Sequence, residues 1–131
     1  MKSNAAERPA ATSDFNSLLA RLTACEGTIA IMGMGYVGFP LAIATHAKGY
    51  HVLGYDVDST KVEKLKAGKS YLKGISDDAI GNMARDKRFM ASSNPEDLQK
   101  ADVIILCVPT PLTKNREPDM SYVVATTQTV A

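Results

Sequence analysis

Three glycines near the start of the chain are spaced as in a turn that binds dinucleotides. Gly33, Gly35 and Gly38 form the pattern G-x-G-x-x-G and directly follow an apolar run over residues 28–32. The first glycine allows a tight bend, the second lets the backbone approach a pyrophosphate, and the third lets the next helix lie close to the strand. Backbone N–H groups at the start of that helix then bind the phosphates, because unpaired donors there favour an anion.

An acidic residue follows this turn at the distance that dinucleotide binding requires. Asp56 ends the second predicted strand, residues 51–56, and lies 18 residues after Gly38. Its carboxylate can accept both hydroxyls of an adenosine ribose and would repel a 2′-phosphate, and no arginine occupies positions 57–60. The sequence therefore favours NAD over NADP. The alternative makes Asp56 a turn residue and the glycines a bare connection, but it ignores the order of strand, turn, helix, strand and acid.

Alternating helices and strands are predicted around this turn. The patterns predict a helix over 37–48, helices over 59–67 and 77–85, a third strand over 88–92 and a short helix over 94–100. Gly49 and Gly68 are typical helix stops, and Asn94 followed by Pro95 is typical of a helix start. This alternation indicates an α/β domain.

A fourth strand is predicted over residues 103–108, beside the first. Its β-branched apolar residues are typical of a parallel strand that is buried on both faces. The turn over 108–112 follows, with two prolines and the hydroxyl of Thr110, and it borders the crevice in which doubly wound sheets bind ligands. On composition alone, this turn is equally well explained as an ordinary proline-containing turn that ends a strand.

The last segment, 119–131, is predicted to be a helix although it is rich in β-branched residues. Met120, Val123, Val124 and Thr127 share one helical face, and Asp119 is a good capping residue. The predicted fold is a Rossmann-type doubly wound parallel sheet, truncated after the fourth strand and its following helix. The outer edge of that strand would be unpaired, which predicts a homo-oligomer through this edge.

The N-terminal segment divides into a tail and a helix. Residues 1–12 are predicted to be a disordered tail, and the partial dinucleotide-binding domain is predicted to span 13–131. Ser13 can cap a helix that packs against the flank of the domain. The apolar face of this helix consists of Phe15, Leu18, Leu19 and Leu22.

Composition narrows the class of protein further. A net charge of +1 over 131 residues provides no electrostatic reason to expect nucleic acid or an anionic membrane as a partner. No run reaches the ~18 apolar residues of a membrane span, and no signal peptide is evident, so the expected compartment is the cytoplasm. Cys25 and Cys107 lack metal-ligand spacing and are predicted to be buried thiols. His46 and His51 are expected at the surface or at a strand edge.

Four short stretches together resemble the N-terminal NAD-binding domain of the UDP-glucose/GDP-mannose dehydrogenase family. They are residues 33–42, 54–58, 107–112 and 118–121, and the resemblance runs from about Phe15 to the end of the chain. Within the family, segments 70–75 and 113–119 are most similar to UDP-N-acetylglucosamine 6-dehydrogenases and their UDP-N-acetylhexosamine relatives. The resemblance implies an oxidoreductase that converts the C6 alcohol of a UDP-sugar to a carboxylate with two NAD and a cysteine thioester.

The resemblance also implies which residues bind the cofactor. By this resemblance, Asp56 binds the adenosine ribose, Lys61 lies near that ribose, and Thr110 lines the cofactor crevice. The residues of the pyrophosphate-binding turn are Gly33, Gly35, Tyr36, Val37 and Gly38. For Lys61, a solvated helix lysine is an almost equally good interpretation. No catalytic residue and no metal ligand is assigned.

The part of the family pattern that carries the sugar chemistry is absent from this sequence. The sugar-binding domain would follow the last residue, and neither Cys25 nor Cys107 can replace its catalytic cysteine. The isolated chain is therefore expected to be inactive, with a UDP-sugar bound only by a full-length enzyme. The alternative is a free-standing, non-catalytic nucleotide-binding module, which is disfavoured because the chain stops before its sheet is complete. An unrelated dehydrogenase of the same fold is disfavoured by segments 108–112 and 118–121.

Overall fold

Four parallel strands form one sheet in the computed structural model, which describes residues 11–131 and the side chains of residues 14–131. The strands are β1 (Thr28–Met32), β2 (His51–Tyr55), β3 (Phe89–Ser92) and β4 (Val103–Leu106), in the order β3-β2-β1-β4. Met32 pairs with Tyr55 on one side and with Leu106 on the other. The carboxyl ends of these three strands are therefore level, and the segments that follow them meet at one edge of the sheet.

Helices cover both faces of this sheet. They are α1 (Ala11–Thr23), α2 (Gly38–Ala47), α3 (Ser59–Lys66), α4 (Asp77–Arg85), the 3-10 helix Pro95–Lys100 and α5 (Ser121–Val130). On one face, Phe39 of α2, Val62 of α3 and Ile80 of α4 belong to the larger hydrophobic cluster. On the other, Leu98 of the 3-10 helix belongs to a smaller cluster, and α5 lies beside that helix.

The strand β1 contributes to both clusters. Ile29 and Ile31 belong to the larger one, and Ala30 and Met32 to the smaller one. Because successive side chains of a strand point to opposite faces, a strand that is covered on both faces needs a continuous apolar run. The sequence of β1 has this character, and the arrangement confirms the predicted Rossmann-type parallel sheet.

Most helix ends lie where local signals predicted them. Helix α4 has the predicted bounds, and the side chains of Asp58, Ser76 and Asn94 each accept a hydrogen bond from a backbone N–H at the start of the helix that follows. Gly49 (φ +101°) and Gly68 (φ +69°) lie just past α2 and α3 in the left-handed conformation that ends many helices. The short helix after Asn94 is 3-10 rather than α, as the hydrogen bond from the Asp97 N–H to the Asn94 carbonyl illustrates.

Helix α1 differs from its prediction in its start and in its packing. It begins at Ala11, so Ser13 lies inside the helix and is not its cap. Residues 1–10 of the predicted tail lie outside the described residues. The side chains of Phe15 and Leu19 are 62% and 51% exposed. Leu22 does pack against the larger cluster, so the C-terminal end of the predicted apolar face is the part that contacts the domain core.

Strand β4 is shorter and more exposed than predicted. It ends at Leu106 rather than at residue 108, and none of its four residues is buried. The reason is that β4 has a strand neighbour on one side only within the described residues, and no residue of α5 is buried against it. A parallel strand is buried on both faces only when helices and neighbouring strands surround it, which is not the case here.

Helix α5 confirms the helical interpretation of the last segment. The carboxylate of Asp119 accepts a hydrogen bond from the Ser121 N–H at 3.0 Å, although Met120 is the residue at the cap position itself. Met120 and Val124 of the predicted inner face are about half exposed. The helix is rotated so that Tyr122, Ala125 and Thr126 point toward the carboxyl edge of the sheet instead.

The structure corrects the predicted burial of the two cysteines and the predicted surface position of His46. Cys25 and Cys107 are free thiols and are partly exposed rather than buried. The imidazole of His46 is largely covered, with Nε2 3.2 Å from the Asp86 carboxylate, whereas His51 is exposed. Among residues 11–131, no helix is long and apolar enough to span a membrane, and no group of His, Cys, Asp and Glu side chains is arranged to hold a metal ion.

Candidate cofactor-binding site

The glycine turn joins β1 to α2 and has no room for side chains at two of its three glycines. Gly33 has φ +97°, and a Cβ atom there would collide with the Cys107 carbonyl oxygen. A Cβ atom on Gly38 would collide with the Gly33 carbonyl oxygen. A Cβ atom on Gly35 would meet nothing within 4 Å. Gly33 and Gly38 are therefore required by the fold, whereas Gly35 leaves open space above the turn.

The backbone donors of this turn divide into two groups. The N–H of Gly33 donates to the Tyr55 carbonyl at 2.8 Å, and the N–H of Met34 donates to the Asp56 carboxylate at 2.9 Å. The next three N–H groups, those of residues 35–37, have no acceptor among the described residues. They stand at the N-terminus of α2, where the helix dipole adds to their attraction for an anion. The turn can therefore bind a phosphate group through its backbone.

Asp56 ends β2 beside the turn and is only 7% exposed. Its Oδ2 accepts the Met34 N–H and its Oδ1 accepts the Asp58 N–H, both at 2.9 Å. The ammonium group of Lys61 is 3.7 Å from Oδ2. A carboxylate has about four lone-pair positions, so Asp56 can hold the turn in place and still accept hydrogen bonds from a ligand.

A groove of about 330 Å³ opens between the carboxyl ends of β1 and β2 and the helix α5. Its charged lining residues are Asp56, Asp58 and Lys61, and most of the other lining residues are apolar. The remaining lining residues are Met32, Gly33, Tyr55, Val57, Val108, Pro109, Tyr122, Ala125, Thr126 and Thr129. Such a groove suits a planar, mostly apolar base that is joined to a sugar with hydroxyl groups.

A second groove of about 350 Å³ lies on the other side of Lys61. Gly35 and Tyr36 of the turn line it, together with Lys64 and Tyr71. Lys61 lines both grooves. The ammonium groups of Lys61 and Lys64 and the carboxylate of Asp58 thus stand beside the free N–H groups of the turn.

The structure brings most of the predicted cofactor residues together but leaves Thr110 apart. Gly33, Asp56 and Lys61 line the first groove, and Gly35, Tyr36 and Lys61 line the second. Val37 is exposed but lines neither groove, and Gly38 is buried beneath the turn. Thr110 is exposed and does not line either groove, whereas Val108 and Pro109 of the same turn do. The carbonyl of Cys107 lies against Gly33, and burial raises the pKa of the Cys107 thiol, which keeps it protonated.

Sequence reasoning missed two sets of residues at this site. Tyr71 donates a hydrogen bond from its hydroxyl to the Met34 carbonyl at 2.5 Å, and its ring stacks on Phe39 with centroids 5.0 Å apart. Tyr71 entered the family resemblance only as part of segment 70–75, which assigned it no role. The second set is the face of α5 on the first groove, whose spacing over 122, 125, 126 and 129 is helical and could have been recognised.

The comparison with known proteins decides the family. The NAD binding domain of the UDP-glucose/GDP-mannose dehydrogenase family matches residues 27–131. This chain belongs to that family. NAD is accordingly the cofactor of the domain, and the chain corresponds to the NAD-binding portion of a nucleotide-sugar dehydrogenase, as the resemblance implied.

Individual relatives agree with this assignment. UDP-N-acetyl-D-mannosamine dehydrogenase of Pyrococcus horikoshii is 35% identical over 104 residues, which are 79% of this chain and 25% of that protein. UDP-N-acetyl-D-glucosamine 6-dehydrogenase of Pseudomonas aeruginosa is 28% identical over 102 residues, 78% of this chain and 23% of that protein. A solved ternary complex of GDP-mannose dehydrogenase from Pseudomonas aeruginosa has a TM-score of 0.73 and 30% identity, and the match covers 78% of this chain and 24% of that one. The chain thus spans about a quarter of the length of its relatives.

Proposed function

We propose that the glycine turn and the first groove bind the adenosine diphosphate half of NAD. The observation that carries this proposal is the set of three backbone N–H groups, residues 35–37, that have no acceptor among the described residues and stand beside a carboxylate. The pyrophosphate binds to these N–H groups, and the ribose hydroxyls donate to Asp56. The adenine ring lies between Val57 and Tyr122, which both line this groove.

Lys61 and Thr110 have different support in this proposal. Lys61 stands 3.7 Å from Asp56 and lines both grooves, so it offsets the carboxylate charge where the pyrophosphate binds. Thr110 is assigned by the family resemblance alone, and it lines neither of the two grooves. We keep it as a candidate contact to the nicotinamide side of the cofactor.

In the whole enzyme, the proposed reaction oxidises the C6 alcohol of a UDP-N-acetylhexosamine to the carboxylate. Two NAD molecules each take up one hydride, and water supplies the second carboxylate oxygen. Two of the three relatives named above carry such sugars in their names, UDP-N-acetyl-D-mannosamine and UDP-N-acetyl-D-glucosamine, which supports this substrate class. The 131 residues of this chain are expected to bind NAD without turning over a sugar. Production of NADH from UDP-N-acetylglucosamine or UDP-N-acetylmannosamine by the purified chain would contradict that expectation.

Calorimetric titration with NAD tests the cofactor site. We expect the chain to bind NAD, to bind NADP at least tenfold more weakly because Asp56 repels the 2′-phosphate, and to lose most NAD affinity in Asp56→Ala. Asp78→Ala is the matched control, because Asp78 is an exposed acid on α4 with no ion pair among the described residues. Circular dichroism establishes that each variant is folded. Equal binding of NAD by Asp56→Ala and by the control would refute the assignment.

The proposal also includes a cytoplasmic location and self-association of the chain through β4. Both cysteines are free thiols, which fits the reducing cytoplasm. The exposed apolar edge of β4 supports self-association, because an unpaired strand edge can add a strand from a second copy.

A further inference from the structure

Met34, between the first two glycines of the turn, is held from both sides of its backbone. Its N–H donates to the Asp56 carboxylate at 2.9 Å, and its carbonyl accepts the hydroxyl of Tyr71 at 2.5 Å. Its side chain is fully buried. It packs directly over Gly54, where a Cβ atom would lie 2.9 Å from the Met34 methyl group. Neither peptide unit that flanks Met34 is free to turn.

Tyr71 is itself fixed, although it comes from the loop between α3 and α4. Its ring stacks on Phe39 with an angle of 29° between the ring planes, and Phe39 is fully buried in the first turn of α2. The ammonium group of Lys61 lies 6.0 Å from the centre of the ring. Burial, and to a smaller extent the charges of Asp56 and Asp58, raise the pKa of the Tyr71 hydroxyl. The hydroxyl therefore stays protonated and remains a donor.

The hydrogen bond from Tyr71 acts on the peptide unit that leads into the phosphate-binding N–H groups. This unit joins the Met34 carbonyl to the Gly35 nitrogen, so the hydroxyl also determines where the Gly35 N–H points. Without that bond, the unit can rotate, because glycine populates many backbone conformations. A ligand would then have to order the turn as it binds, which lowers its affinity.

We propose that Tyr71 is a positioning residue of the pyrophosphate turn, which orients the Met34–Gly35 peptide before the cofactor binds. The proposal rests on the proposed function in one respect, that the turn binds the pyrophosphate of NAD. Tyr71 acts through the backbone of the turn, and its hydroxyl is already engaged by the Met34 carbonyl. Its effect is therefore expected on the phosphates of the ligand and not on the adenosine.

Tyr71→Phe is the test variant, because it keeps the ring and its stacking on Phe39 and removes only the hydroxyl. Tyr50→Phe is the matched control, since the Tyr50 hydroxyl also donates to a backbone carbonyl, that of Leu22, at 2.8 Å and outside both grooves. Without ligand, hydrogen exchange of the Met34 N–H is expected to be about three- to tenfold faster in Tyr71→Phe. This N–H keeps its Asp56 acceptor in the variant, so faster exchange would report that the turn opens more often once its second anchor is lost. Unchanged exchange of Met34, or an equal increase in Tyr50→Phe, would overturn the proposal.

Titrations with NAD, ADP and adenosine provide the second readout. Tyr71→Phe is expected to weaken NAD and ADP about three- to tenfold and to leave adenosine unchanged, whereas Tyr50→Phe leaves all three unchanged. A loss of affinity that includes adenosine to the same extent would show a general structural defect and would overturn the positioning role. If the unmodified chain binds no NAD, the proposed function fails, and the exchange of the Met34 N–H still decides the role of Tyr71.

Discussion

At the scale of single residues, the three glycines of the turn are required for different physical reasons. Backbone atoms of the protein leave no room for a side chain at Gly33 or at Gly38, so these two glycines are required for folding. Gly35 faces open space, so a methyl group at this position would collide only with a bound ligand. The same sequence pattern thus combines a structural requirement with a functional one.

Gly38→Ala and Gly35→Ala separate these two requirements. Gly38→Ala is expected to lower the free energy of unfolding by about 1–3 kcal/mol or more, as overpacking against rigid backbone does. Gly35→Ala is expected to change it by less than about 0.5 kcal/mol and yet to abolish most NAD binding. Urea denaturation and calorimetric titration measure the two effects. A Gly35→Ala variant that binds NAD normally would mean that the pyrophosphate does not approach this residue.

At the scale of elements, polar contacts attach α1 to the domain more than its apolar face does. The guanidinium of Arg21 donates two hydrogen bonds to Asp102, at 2.7 and 2.9 Å. The same carboxylate accepts the N–H of Thr28 at the start of β1, and Tyr50 donates to the Leu22 carbonyl. Asp102 therefore connects α1, β1 and β4 in one group of hydrogen bonds.

Asp102→Ala is expected to destabilise the chain by about 1–3 kcal/mol, because it leaves a partly buried N–H without its acceptor. Glu63→Ala is the control, since Glu63 is exposed and makes only a surface ion pair with Lys66, worth ~0–1 kcal/mol. Urea denaturation of both variants provides the comparison. Equal stability of the two would show that α1 contributes little to the folded domain.

At the scale of the whole molecule, the two edges of the sheet differ in their surroundings. The edge at β3 lies over the larger hydrophobic cluster, and three of the four β3 residues are buried. The edge at β4 has no buried residue, and none of the residues of α5 is buried either. Apolar surface is thus concentrated at the β4 end of the domain, where association with a second copy would cover it.

Leu106→Lys is expected to suppress self-association, since a lysine on an edge strand opposes pairing with another strand. Met90→Lys is the control, because Met90 lies on the opposite edge strand and is equally exposed, at 38%. Light scattering at micromolar concentration measures the mass of each protein. A monomeric unmodified chain would contradict association through β4, and so would a dimer that only Met90→Lys disrupts.

Local sequence patterns predicted the elements of this fold well. The bounds of α4, the stops at Gly49 and Gly68 and the cap at Asn94 depend on backbone conformation and hydrogen bonds within a few residues. The same holds for the spacing of the glycines and of Asp56. These features are predictable because each requirement is met by residues that are neighbours in the chain.

The sequence by itself determined the order of strands and helices, the turn between β1 and α2 and, through family resemblance, the cofactor. Tertiary structure alone decided that Tyr71 reaches Met34, 37 residues away, that Arg21 reaches Asp102, 81 residues away, and that β4 stays exposed. Local requirements depend on nearby backbone geometry, which the residue types specify. Contacts between distant residues depend on how the helices pack on the sheet, and no local pattern contains that information.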